Sequence, residues 1–237
     1  MDRSVEAVIF DWGGTLSVWA EVDIEDMWRL AARHISTDRE EELLSRLIAV
    51  EARSWERTRT DRRSTRLADL LAEASNEIGA DVAEAVLEEA ATHHLDTWTP
   101  HIRHQPDAAP TLRALRDSGL RIGLLSNTHW PRHFHEHFLE RDGLDGLIDA
   151  RLYTSDMEHV KPDRRAFEQA LEAVGVKEAG RAVFVGDRLY DDVWGAQQAG
   201  LRGVWVHNER TPDHDVTPDG TVRRLSELVP MVASWQD

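Results

Sequence analysis

The sequence predicts an α/β fold: a doubly wound, Rossmann-like parallel sheet carrying an inserted small α-helical domain. Three observations lead there. Short apolar runs at 5–10, 121–125, 182–186 and 203–207 are continuous rather than alternating, as expected of strands buried on both faces of a parallel sheet. Helical patterns at 110–118, 131–139, 163–174 and 190–199 lie between the later runs, and strand alternating with helix is the pattern of a doubly wound layer. Residues 17–99 break that rhythm: they hold no Pro, only Gly79, and much Glu, Arg, Leu and Ala.

Taken in order, the first run ends at Asp11. Within the insert, Thr37 and Glu40 are spaced as a capping box ahead of Leu43, Leu44, Leu47 and Ile48, which recur at helical spacing. Asp81 and Glu84 repeat the acidic cap pattern before Val82, Ala85 and Val86. About four helices are expected there. Pro100, Pro106 and Pro110 mark the return. The core is then 1–16 plus 100–237, and the insert 17–99. A further strand is expected near 149–154. The stretch from Asn208 to Gly220, with Pro212, Pro218 and three Asp, reads as a loop.

Composition excludes several classes of function. The 237 residues include no Cys, which removes disulfide scaffolds, thiolate zinc sites and cysteine nucleophiles together. Acidic residues number 44 against 28 Lys plus Arg, a formal charge of −16. Such a surface repels phosphate backbones, so no nucleic-acid partner is expected. No apolar run reaches bilayer-spanning length. The start Met1-Asp2-Arg3-Ser4-Val5-Glu6 has no basic segment leading into an apolar one. A cytoplasmic protein without a membrane partner is expected. The oligomeric state is not readable.

In an open parallel sheet, ligands bind beyond the carboxyl ends of the strands. Asp11 follows Val8-Ile9-Phe10. Ser126 and Asn127 follow Leu124-Leu125. Lys161-Pro162 lies in the loop after the strand near 149–154, and Lys161 is one of two lysines in the chain, with Lys177. Gly186-Asp187 follows Val183-Phe184-Val185, with Asp191 and Asp192 just beyond. A single Asp after a strand is commonly a helix cap. Independent caps would not also select one Lys and one Ser. A carboxylate pair suits a hard divalent cation such as Mg²⁺. A lysine and a hydroxyl beside it make an anion pocket, which together is a phosphoryl-transfer site.

The stretches Phe10-Asp11-Trp12-Gly13-Gly14-Thr15-Leu16, Leu125-Ser126-Asn127, Val160-Lys161-Pro162-Asp163 and Val185-Gly186-Asp187 through Asp192 resemble the haloacid dehalogenase superfamily of hydrolases, in the family's order. The insert resembles the family's α-helical cap of the first type. The resemblance implies a phosphatase acting on a small phosphorylated molecule. Asp11 would be the nucleophile and would become an aspartyl-phosphate. Mg²⁺ would be held by Asp11, Asp187 and the Gly13 carbonyl, with Asp192, or else Asp191, steadying its water ligands. Ser126 and Lys161 would bind the phosphoryl oxygens, and Asn127 and His129 would line the substrate pocket.

One position departs from the family. Most of its phosphatases carry a second Asp two residues after the nucleophile, as acid and base. Here that position is Gly13. General acid–base help is worth about 10²–10⁴ in rate, or about 3–5 kcal/mol. Either the leaving group is good, as in an acyl or aryl phosphate, or another residue supplies the proton, or the protein binds a phosphorylated ligand without turnover. His129 is a candidate substitute, since histidine titrates near neutrality. Family members that cleave phosphonoacetaldehyde also have Trp after the nucleophile, but need a cap lysine, and 17–99 holds none. The 2-haloacid dehalogenases have an aromatic residue at the Gly13 position and need no metal, so Gly13 and the Asp187 to Asp192 segment argue against that chemistry.

His133 and His137 share a helix face without an identifiable third ligand, which reads as solvated surface. Six Arg between Arg53 and Arg66 read as an exposed helix paired with nearby acids. Trp12, Trp19 and Trp130, among nine Trp, fall near motif ends, where they would serve either as core or as pocket lining.

Overall fold

The computed structural model describes residues 4–236. Six strands form one sheet: β1 (Ala7–Phe10), β2 (Arg121–Ser126), β3 (Ala150–Tyr153), β4 (Ala182–Gly186), β5 (Arg202–Val206) and β6 (Gly220–Val222). Their order is β3-β2-β1-β4-β5-β6, and every pairing is parallel. β1 is central and wholly buried. Its alternate residues feed two different cores. Val8 and Phe10 join one apolar cluster, while Ala7 and Ile9 join the other. This is why the run is apolar throughout: a strand covered on both faces has no wet side.

Helices α5 (Ala108–Asp117), α6 (Arg132–Arg141) and α9 (Leu228–Ala233) contribute Leu112, Phe138 and Leu228 to the first cluster. Helix α7 (Arg164–Ala173) and the short α8 (Gly195–Gln198) contribute Phe167 and Ala196 to the second. The sheet is therefore covered by helices on each side, as expected. β6 corrects the reading of 208–220 as loop to its end. A three-residue edge strand beginning at Gly220 carries almost no periodic signal, and it exists because β5 offers it a free edge. The expected helix 190–199 is instead a single π-helical turn, Leu189–Trp194, running into α8.

Between β1 and α5 lie α1 (Ile24–Ile35), α2 (Glu40–Asp61), α3 (Leu67–Glu77) and α4 (Glu84–Trp98). Four helices were expected, but the two expected caps do not form. Thr37 lies in a short 3₁₀ turn and its hydroxyl donates back to the Arg33 carbonyl. α4 starts after Ala83 with no side-chain cap, so Asp81 does not serve. The caps that do form use Asp23, which accepts from Glu25 N at 2.8 Å, and Asp69, which accepts from Arg66 N at 3.1 Å. The fully buried Trp28 anchors α1.

The helical insert meets the sheet domain at two places that straddle the carboxyl end of β1. At one, the outgoing and returning chains pair: Val18 N donates to Arg103 O and Gln105 N to Leu16 O, both at 2.8 Å. At the other, the α2–α3 turn is tied down. There Val160 N donates to Arg62 O at 3.1 Å and Leu67 N to His129 O at 2.9 Å. Arg62 closes α2 in the left-handed region at φ 58°. Among the described residues, no helix is long and apolar enough to cross a membrane.

Candidate active site

The chain runs outward from β1 through β2 to β3, then crosses to β4 on the other side of β1. The crevice at this reversal is where such sheets bind ligands. Asp11 leaves β1, Ser126 ends β2 and Asp187 follows β4, so three of the expected residues arrive there by topology alone. Lys161 comes from the loop after β3. Its ammonium donates to Asp11 Oδ1 and to Asp192 Oδ1, each at 2.7 Å. All five line or adjoin one site, and all are buried.

Asp11, Asp187 and Asp192 bring carboxylate oxygens within 4.8 Å of one another. Burial pushes the Asp11 carboxyl up to about 6, against the pull of Lys161. Burial, with Asp11 and Asp192 beside it, pushes Asp187 up to about 7. Burial opposes the charge on Lys161, yet the two carboxylates hold its ammonium above the ordinary range. Three acids thus face one buried lysine. Asp187 Oδ2 accepts from Asn208 Nδ2 at 2.7 Å, while its Oδ1 is buried with no hydrogen-bond partner. A buried carboxylate oxygen left unpaired is costly, and an oxygen-lined trio is the donor set a hard divalent cation takes. The residues present fit a hard divalent cation. Asp192, not Asp191, belongs to the trio. Asp191 also lines the cavity, but pairs with Arg188 at 3.5 Å.

Glycines set how closely these loops approach. A Cβ on Gly14, at φ +81°, would sit 2.4 Å from Asp187 Oδ2, and one on Gly186 would collide with Asp192. Gly13 differs: a Cβ there meets nothing within 4 Å and its φ lies outside the left-handed region. The missing side chain of Gly13 is therefore not imposed by packing.

Asn127 lines the cavity, but its amide is engaged. It donates to Lys161 O at 2.9 Å and accepts from Lys161 N at 3.0 Å. It clamps the lysine loop to β2. His129 also lines the cavity. Its Nδ1 lies 2.9 Å from Thr65 O, and a carbonyl only accepts, so Nδ1 carries the proton. Nε2 is then a bare lone pair, buried and unpartnered. Burial holds this imidazole below its ordinary range.

Sequence reasoning passed over four contributors. Asn208, which holds Asp187, is the second residue beyond β5, one step further from its strand than Asp11 and Asp187 are from theirs. That was a readable signal. Arg188 lines the cavity, and its backbone N–H donates to Asp192 Oδ2 at 2.9 Å. Glu51 reaches the cavity from α2 and accepts from Trp28 Nε1 at 2.7 Å; nothing in a charged helix marks it out. His104 accepts from Trp12 Nε1 at 3.1 Å and so donates through Nδ1 to Asp142 at 2.6 Å. This chain of hydrogen bonds holds Trp12 beside Asp11.

The remaining features lie elsewhere. His133 and His137 are exposed. Arg53 and Arg57 pair with Glu73 and Glu77 on the outside of the insert. His135, by contrast, is fully buried, stacked 4.6 Å from Tyr153, and burial pulls it down to about 3. The unfolded chain binds a proton near 6.5 that this ring refuses until far lower pH. Its contribution is therefore present above pH 6.5 and lost as pH falls towards 3. The destabilisation caused by His135→Gln should shrink by about 2 kcal/mol between pH 7.5 and 5, read from urea unfolding. A cost unchanged across that range would show that the ring titrates freely.

A doubly wound sheet with a buried acid–lysine cluster at its switch point is the architecture of an α/β enzyme. The chain belongs to the haloacid dehalogenase-like hydrolase family, whose model matches residues 5–200. It is similar to a glyceraldehyde 3-phosphate phosphatase of Methanopyrus kandleri, at 31% identity over 161 residues, 65% of this chain and 67% of the relative. It is also 31% identical over 130 residues to (S)-2-haloacid dehalogenase 4A of Burkholderia cepacia, covering 54% of each. The chain matches about half to two thirds of the length of such curated relatives. Among solved structures, a 2-haloacid dehalogenase from Pseudomonas syringae pv. Tomato DC3000 matches with a TM-score of 0.74 at 26% identity, over 98% of this chain and 99% of that one.

Proposed function

We propose that the protein is a Mg²⁺-dependent phosphatase of a small phosphorylated molecule, with Asp11 as nucleophile, residues 1–16 and 100–237 as catalytic core and 17–99 as cap. The observation that carries this is the meeting of Asp11, Lys161, Asp187 and Asp192 around one unpaired oxygen at the mouth of one cavity. Similarity to phosphatases supports the substrate class.

A carboxylate approaches a phosphoryl dianion only when cations screen both. Mg²⁺ held by Asp11, Asp187 and Asp192, with the Gly13 carbonyl, would supply that screening and polarise the phosphoryl oxygens. Lys161 offsets the remaining charge, and Ser126 offers a hydroxyl to a phosphoryl oxygen. An Asp11 oxygen attacks phosphorus, and the ester P–O bond breaks with its electron pair leaving on the alcohol oxygen. The departing alkoxide or phenoxide takes a proton from solvent; water then attacks the aspartyl-phosphate phosphorus, passes its proton to solvent, and the P–O bond to Asp11 breaks, releasing inorganic phosphate and the Asp11 carboxylate. The insert, tied down on both sides of the crevice, excludes bulk water.

Similarity to dehalogenases raises a second reading, displacement of halide from a 2-haloacid. The acidic trio weighs against it, since three carboxylates around an unscreened centre would repel a carboxylate substrate. Binding without turnover is the third reading. Phosphate and halide release, assayed on phosphate esters and on 2-chloropropionate with Mg²⁺ or EDTA, separates all three. Phosphate release abolished by EDTA is expected; halide release, or neither, would overturn the assignment.

Gly13→Asp should raise kcat for alkyl phosphates by about 10-fold or more by restoring a proton donor, because space for a Cβ exists. No gain, with the fold intact, would mean that another group already donates the proton.

A further inference from the structure

The cavity that begins at Asp11 and Lys161 continues into the cleft between insert and sheet domain, with a volume of about 270 Å³. Six indoles line it, those of Trp12, Trp19, Trp28, Trp55, Trp98 and Trp130. They come from five separate segments, so no single amphipathic pattern put them there. The indoles meet edge to face or tilted: Trp12 and Trp130 at 6.2 Å and 79°, Trp98 and Trp130 at 5.0 Å and 58°. The only cationic side chains on the cavity wall among the described residues, Lys161 and Arg188, come from the loops after β3 and β4, at the end of the cavity that holds Asp11 and Asp192. The rest of the wall therefore has no cation to hold a second phosphate; beside the indoles its polar side chains include Ser17, Glu51, His94 and Thr128.

It does carry polar groups of fixed sense. His129 Nε2 is an acceptor, its tautomer set by Thr65, and Trp98 Nε1 is a donor; both are buried and unpartnered. Unmet groups of this kind reject ligands that cannot pair with them.

We propose that this chamber is the leaving-group subsite for a planar aromatic or heteroaromatic ring, making the substrate a phosphate ester of a single-ring aromatic alcohol or phenol that also bears a hydrogen-bonding group. The inference rests on the phosphatase reading. The volume suits it, since a cavity of about 150 Å³ accepts benzene. Gly13 favours the phenol ester: a phenol ionises near pKa 10 and leaves without a proton donor, whereas an alkoxide, more like water at about 15.7, does not.

The test uses matched esters. Binding of benzyl phosphate and cyclohexylmethyl phosphate to the Asp11→Asn chain with Mg²⁺ is followed by tryptophan fluorescence. The two differ in flatness, not in charge or leaving-group class. Benzyl phosphate should bind at least about 10-fold tighter, and Trp98→Leu should cut that ratio below about 3-fold. In the wild-type chain, phenyl phosphate should exceed cyclohexyl phosphate in kcat/KM by at least about 10²-fold. Equal Kd values in the unsubstituted pocket would overturn the aromatic subsite whatever the Trp98 variant does. Absence of phosphate release from every ester would instead overturn the phosphatase reading, while the Kd ratio would still report on the chamber.

Discussion

Asp11→Asn should cut kcat/KM for any phosphate ester by at least about 10⁴-fold while the protein becomes more stable in the absence of metal. The loss follows because the amide nitrogen cannot form the acyl-phosphate bond that the carboxylate oxygen forms. The gain follows from charge. Burial raises Asp11 to about 6 against an ordinary 3.8, so at pH 8 its ionised form is held there at a cost. Each unit of such a shift is about 1.4 kcal/mol, and the amide escapes the charge while still accepting from Lys161. A gain on the order of 1–3 kcal/mol at pH 8 is expected from urea unfolding in EDTA. Rapid-quench trapping should find phosphoenzyme in the wild type and none in the variant. Undiminished turnover in Asp11→Asn would remove the covalent mechanism outright.

Lys161→Met should have the largest destabilising effect of any side-chain replacement at the site. The side chain is 1% exposed and carries both carboxylate contacts, to Asp11 and Asp192. Removing one partner of a buried pair leaves uncompensated charge, at about 3–5 kcal/mol. The backbone of residue 161 would stay in place, because Asn127 holds it by both amide groups. Adding Asp192→Asn in the Lys161→Met background should recover part of the loss, since one of the stranded charges is removed. A cost below about 1 kcal/mol, or no recovery in the double variant, would mean that water already screens the cluster.

Both predictions depend on a layout that was largely legible in the linear chain, for a definite reason. A strand buried on both faces must be apolar throughout, so it ends visibly where the first polar residue appears, and in this topology that residue faces the ligand crevice. Asp11, Ser126 and Asp187 are found by that rule. Asn208 lies one residue past that mark, behind His207, and the segment after it, rich in Pro and Asp, reads as loop. The insert was legible as helical because it lacks Pro and nearly lacks Gly. Its caps were not: Thr37 and Asp81 have suitable neighbours, but which side chain caps a helix depends on the angle at which the chain enters it, and packing against the rest of the insert sets that angle. β6 was invisible for the same kind of reason, since a three-residue edge owes its existence to its neighbour.

From the order of its residues alone, the protein was committed to a two-sided parallel sheet, an acid–lysine–acid cluster at the strand ends and a glycine where a proton donor would stand. These follow from local rules: burial demands apolar runs, and a missing Cβ is missing in any conformation. Only the folded chain decided that Gly13 has open space around it, that Asp192 rather than Asp191 joins the trio, that the His129 proton sits on Nδ1, and that six indoles from five segments share one chamber. Each of these depends on distances between groups far apart in sequence, and such distances are set by how helices and sheet pack together, not by which residues stand next to each other along the chain.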